Sequence, residues 1–224
     1  MPGELCLIHY KPNTSLHAPI HSSSVRRYFA QNFPHDCFHN HAPNGGSKYR
    51  GAPVQFKVIN EEVYLLGLGE GAAFMKAFQW PHSISIPIGR TGQAADFGFQ
   101  GARDYLARFA EGPQQLYRTL SPYLALNQEA YGAFLSKSEE ETRIFIEKRI
   151  SDHILTAAKW CGVWVTHRIE SSLIQMRLHP SIRVKEGLTF VGLDVMFETN
   201  TAIPDYLGIG RFVSRGFGTV VQYG

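Results

Sequence analysis

The spacing of apolar residues changes along the chain in a regular order. Residues 5–8 form a short unbroken apolar run, the mark of a buried strand, and Pro12, Asn13 and Pro19 then break the chain. From Ser24 the spacing turns helical: Val25, Tyr28, Phe29 and Phe33 share one face, with Arg26, Arg27 and Gln31 opposite, and Pro34 closes the helix. Residues 54–59 and 63–66, joined around Asn60 and Glu61, predict a hairpin. Past Gly67, Gly69 and Gly71, the residues Ala73, Phe74, Ala77 and Phe78 predict a short helix, and Ile84 and Ile86 alternate with serine as in a strand. The order is β-α-β-β-α-β.

The second half repeats it. Residues 117–126 supply a strand, and Ser138 with Glu141 forms a capping box opening a helix with Ile146, Ile150, Ile154 and Cys161 at helical spacing. Gly162 stops that helix. Two long strands near 164–177 and 188–198, a helical turn after Pro204 and a last strand over 219–222 complete the pattern. The fold class expected is therefore α+β, two tandem ferredoxin-like (RRM-like, βαββαβ) domains. Their expected bounds are 1–112 and 113–224. The Gly-rich stretch of about 90–112, with a helix near Tyr105, serves as a connecting segment.

With 224 residues, 44% hydrophobic and 18% charged, the chain has a folded composition and length for one large or two small domains. No apolar run approaches the ~18–20 residues of a membrane span, and no signal peptide is visible, so no membrane partner is expected. The 3 cysteines, Cys6, Cys37 and Cys161, lie far apart, which fits a reducing, cytoplasmic setting. Net charge is only +3, but Arg outnumbers Lys by 14 to 8. Planar guanidinium suits phosphate and base contacts, so the bias leans toward nucleic acid without deciding for it.

Residues 208–218, GIGRFVSRGFG, carry the densest signal. Gly208, Gly210, Gly216 and Gly218 let backbone approach a ligand, Arg211 and Arg215 bring charge, Ser214 a hydroxyl and Phe217 a ring. Such a loop can cradle phosphate through its N–H groups. It is neither a dinucleotide fingerprint nor a Walker loop, and no helix and strand follow it as the RNA-recognition strand motif would need.

The second signal is the run His35-Asp36-Cys37-Phe38-His39-Asn40-His41. If extended, its four alternate His and Cys residues span about 20 Å, too far for one metal. His39 and His41 could share a metal, flank one phosphodiester, or be ordinary loop residues. As a pair they could take the proton from an RNA 2′-hydroxyl and protonate the departing 5′-oxygen near neutral pH, with no metal. Lys48 and Tyr49 lie downstream as candidate stabilisers of the charged transition state.

Phe38-His39-Asn40-His41, the stretch from Val54 to Gly71, and Ile203-Pro204-Asp205-Tyr206 leading into the glycine loop resemble the CRISPR-associated endoribonucleases that process precursor CRISPR RNA, particularly the subtype I-B branch. The resemblance implies a tandem ferredoxin-like fold, CRISPR repeat RNA as partner and no cofactor. It further implies metal-independent cleavage that leaves a 5′-hydroxyl and a 2′,3′-cyclic phosphate or 3′-phosphate. On that reading His39 and His41 are catalytic, assisted by Tyr49 and Lys48. RNA would lie against Gly208, Gly210, Arg211, Ser214, Arg215, Gly216, Phe217 and Gly218. Two other readings stand beside it: a non-catalytic repeat-binding subunit of a CRISPR effector complex, with other subunits as partners, and a metallohydrolase using Cys37, His39 and His41. A homodimer is left open by the sequence.

Overall fold

The structure, a computed structural model, describes residues 2–38, 52–89, 93–126, 128–185 and 188–224. Its elements are β1 (Glu4–Pro12), α1 (Ser22–Asn32), β2 (Val54–Ile59), β3 (Glu62–Leu68), α2 (Glu70–Ala77), β4 (Ser83–Pro87), β5 (Ala94–Leu106) and β6 (Glu111–Thr119), then α3 (Gln128–Leu135), α4 (Glu139–Trp160), β7 (Ser171–Lys185), β8 (Leu188–Thr201), a 3₁₀ turn (Val213–Arg215) and β9 (Val220–Gln222). They form two compact units. The first holds Met1–Leu106 with Trp160–Gly162 and Ser214–Gly216, and the second holds Ala107–Lys159, Val163–Val213 and Phe217–Gly224.

The first unit is built on a five-stranded antiparallel sheet in the order β2-β3-β1-β5-β4. Asn60 and Glu61, both at positive φ (50° and 65°), make the two-residue hairpin turn whose twist matches right-handed strands. Val25 and Phe29 of α1 and Ala72 and Met75 of α2 join Ile8, Tyr10, Phe56, Leu65 and Phe97 of the strands in one apolar core. The alternation of β1, β2 and β3 is what turns those residues to a single face.

The connecting segment expected over about 90–112 is corrected here. Ala94–Leu106 is a 13-residue strand, paired with β1 on one side and β4 on the other, and Tyr105 lies in it rather than in a helix. β5 thus takes the place beside β1 that the repeat order would give to β4, and β4 is displaced to the edge. Only Ala95 and Phe97 of this strand are buried, so its long polar remainder imitates a linker.

The second unit has four strands in the order β7-β8-β6-β9, the ferredoxin-like arrangement. Its first strand is Glu111–Thr119, earlier than expected, and β7 begins at Ser171 rather than near residue 164. The stretch before β7 holds to β8 by side chains instead of a ladder: Asn200 donates from Nδ2 to the Arg168 carbonyl (2.9 Å), and Thr199 donates from Oγ1 to the Glu170 carbonyl (2.7 Å). No helix follows Pro204; a turn and the 3₁₀ segment Val213–Arg215 replace it.

Helix α4 opens on the expected capping box. Ser138 Oγ accepts from the Glu141 N–H at 3.3 Å, and Glu141 Oε2 accepts from the Ser138 N–H at 2.8 Å. Ile146, Ile150 and Ile154 are fully buried along one stripe. On one flank Arg143 Nη2 donates to the Leu173 carbonyl (2.9 Å) while the Leu173 N–H donates to Glu147 Oε1 (2.8 Å), so both backbone groups of one β7 residue are taken by the helix. The other flank meets Tyr123, whose hydroxyl bonds His153 Nδ1 at 2.5 Å.

Candidate nucleic-acid interface

The glycine loop is a tight, self-supported turn. Gly208 bridges Thr219, and the Ile209 N–H donates to the Gly218 carbonyl at 2.9 Å. The Arg211 N–H donates to the Leu124 carbonyl (3.1 Å) and the Gly218 N–H to the Pro122 carbonyl (3.0 Å). These three amides serve protein carbonyls, so at 209, 211 and 218 the N–H groups of the loop are already engaged.

Two of the glycines are demanded by packing. At Gly218, φ is +62°, and a Cβ would collide with the Ile209 carbonyl oxygen. Gly216, which lies in the first unit, has φ +85°, and its Cβ would strike the Ser22 side chain and stand 2.8 Å from the Phe56 carbonyl oxygen. Both sit in the left-handed region that side chains resist.

The loop's charge is displayed by its arginines. Arg211 is exposed, its guanidinium 5.9 Å from the ring centres of both Phe190 and Phe212, which meet edge to face at 5.1 Å. Arg215 is half-buried and acts on Arg26 of α1: burial first, then the Arg215 charge, lowers the pKa of Arg26. Two like charges are thus held close enough to repel. Ser214 and Phe217 of the loop are partly exposed. Arg26 escaped sequence reasoning because its position reads only as the polar face of a helix.

The candidate catalytic residues His39, His41, Lys48 and Tyr49 lie outside the described residues. What precedes them is firmly anchored. Phe38 is buried, with ring centres of Phe29, Phe56 and Phe74 at 5.6, 6.1 and 5.3 Å. His35 stacks on Phe74 at 3.8 Å and accepts the Cys37 N–H at Nδ1 (3.2 Å). Cys37 is half-buried, and both of its companions in the metallohydrolase reading are outside the described residues. Among the described residues no three His, Cys, Asp or Glu side chains gather as metal ligands, and no helix is long and apolar enough to cross a membrane.

One more cation was not anticipated. Lys57 on β2 is completely buried, its Nζ donating to Gln55 Oε1 at 3.0 Å, and burial lowers its pKa to about 7. In sequence it is merely the polar member of an alternating strand.

Comparison with known proteins covers both units. Family models for the Cas6b N-terminal domain and the Cas6b C-terminal domain match residues 5–95 and 110–223. A curated relative, an uncharacterized protein of Methanocaldococcus jannaschii, is 34% identical over 107 residues, 47% of this chain and 71% of that protein. Among solved structures, a Cas6b crystal structure superposes with a TM-score of 0.78 at 24% identity, covering 98% of this chain and 100% of the other. The structure of a CRISPR RNA processing endoribonuclease Cas6b matches at 0.68 and 24% with the same coverage. Csf5, a type IV Cas6 crRNA endonuclease, matches at 0.69 and 15%, covering 99% and 100%. At these identities the structural likeness establishes the fold.

Proposed function

The chain belongs to the Cas6b family of CRISPR repeat-processing endoribonucleases, and from that premise we propose that it cuts CRISPR repeat RNA within precursor crRNA. The observation that carries this reading for the present chain is the pairing of Arg215 of the glycine loop with Arg26. Arg211 rests on two phenylalanine rings, and Arg215 is held against the charge of Arg26. Charges placed so close suit a polyanion, and guanidinium on aromatic rings suits RNA.

The chemistry proposed is metal-independent. One of His39 and His41 removes the proton of the 2′-hydroxyl, which attacks the adjacent phosphorus; the P–O5′ bond breaks, and the other imidazole protonates the leaving 5′-oxygen. The products are a 2′,3′-cyclic phosphate, which water can open to a 3′-phosphate, and a 5′-hydroxyl. Lys48 and Tyr49 stabilise the charge that develops on the phosphorane oxygens. Gly208, Gly210, Gly216 and Gly218 shape the loop, while Arg211, Ser214, Arg215 and Phe217 contact RNA.

End-labelled repeat RNA incubated with protein in EDTA tests this. A single cut with a 5′-hydroxyl, lost in the His39→Ala/His41→Ala double variant, is the expected result. Full cleavage by the double variant refutes the histidine mechanism. Tight binding with no cut in either protein instead identifies a repeat-binding subunit of an effector complex.

A further inference from the structure

Phe145, Arg149 and His153 of α4 are spaced four apart, so they form one stripe beside the buried Ile146, Ile150 and Ile154. All three are half-buried, on the flank that meets Tyr123 rather than β7. Their cations are laid over rings. Arg149 stands 5.1 Å from the Phe145 ring centre and Lys137 5.5 Å from it. At the other end the stripe meets the glycine loop: a Cβ on Gly210 would lie 2.7 Å from Tyr123 Cε2, and the Tyr123 hydroxyl bonds His153.

His153 is not a charge carrier here. Burial, then the Arg149 charge, lowers its pKa to about 4, with Asp152 opposing and Arg211 adding to the shift. Burial raises the pKa of Tyr123 well above its ordinary value, so the phenol keeps a proton that it can donate to Nδ1. With the Tyr123 hydroxyl as donor to Nδ1, the ring proton sits on Nε2, a neutral N–H donor within reach of the charges of Arg149 and Arg211. Two acids lie near: exposed Asp152, and Glu141, which is held by Ser138.

We propose that Lys137, Arg149, His153 and Arg211 form a phosphate track that carries the RNA strand from the glycine loop along α4. The inference rests on the repeat-RNA reading above. From residue 145 to 153 the helix rises about 12 Å. Phosphates bind the cations and the His153 Nε2–H; the rings of Phe145, Phe190 and Phe212 hold the guanidinium and ammonium groups in place. The track reads backbone charge, so it adds affinity without choosing the cut.

Repeat-RNA affinity measured over a series of salt concentrations tests the track, using wild type, Lys137→Gln/Arg149→Gln, Arg149→Lys and Lys159→Gln. Lys159 is an exposed cation of α4 four turns beyond Lys137's ring contact and off the stripe. Each lost phosphate contact should lower the slope of log affinity against log salt by about 0.7. The double variant should therefore bind several-fold more weakly with a flatter slope, cutting at the same position, while Arg149→Lys and Lys159→Gln keep the wild-type slope. An unchanged slope in the double variant, or an equal loss in Lys159→Gln, overturns the track while leaving the repeat-RNA reading intact. Failure of wild type to bind repeat RNA would instead remove the reading on which it rests. Urea unfolding of the double variant confirms that the fold is retained.

Discussion

Replacing Lys57 by methionine should change how stability depends on pH. The ammonium is fully buried beside Gln55, and its pKa falls from 10.5 to about 7. That interval corresponds to about 5 kcal/mol of differential interaction between the two protonation states. Between those two values the unfolded chain binds a proton that the folded chain does not. Stability from this group therefore rises with pH, by about 1.4 kcal/mol per pH unit, and below about pH 7 both states are protonated and the slope vanishes. Lys57→Met keeps an unbranched side chain only one atom shorter but cannot titrate. Against it, the Gln55 oxygen loses a donor, a penalty of about 1–3 kcal/mol that does not vary with pH. Urea unfolding of both proteins from about pH 6 to about pH 9 isolates the effect, because all other groups cancel in the difference. Wild type minus variant should be level at the acid end and climb above neutrality. A level difference across the whole range would refute the argument, since Lys57 would then hold its proton in both states.

Gly216→Ala should destabilise the protein by about 2–5 kcal/mol, combining a left-handed backbone with a collision against Ser22 and Phe56, whereas Gly112→Ala, with open space around it, should stay within about 0.5 kcal/mol in the same urea titration. Ser138→Ala removes the capping hydroxyl of α4 and should lower stability by about 1 kcal/mol, a fall of about 2–4 °C in Tm by thermal melt; an unchanged Tm would mean that the box is idle.

Elements whose apolar residues keep one period were legible from the chain. The 54–66 hairpin and α4 with its cap are found as expected because Asn60-Glu61 and Ser138-x-x-Glu141 act locally. β5 was not legible, since two glycines and an exposed polar face conceal a strand that owes its pairing to β1, some 90 residues earlier in the chain. Residues 164–170 alternate like a strand, yet Asn200 and Thr199 supply side-chain partners where a ladder would be. At the glycine loop, composition marked the place, but the engagement of the 209, 211 and 218 amides depends on Pro122, Leu124 and Gly218 carbonyls that no local pattern reveals. The i, i+4 spacing of Phe145, Arg149 and His153 was visible; their meaning waited on Tyr123, thirty residues before His153 in the connection between β6 and α3.

The fork that Arg143 and Glu147 close around Leu173 has a consequence for how molecules of this protein behave when crowded together. β7 is the outermost strand of its sheet, and an outermost strand invites a neighbour's backbone to join it. At Leu173 the invitation is withdrawn: carbonyl and N–H already point into an ion pair from the molecule's own helix. An incoming strand would have to dislodge a guanidinium and a carboxylate to gain two hydrogen bonds. The helix that presents the proposed RNA track on one flank thus guards, on the other, against runaway growth of the sheet.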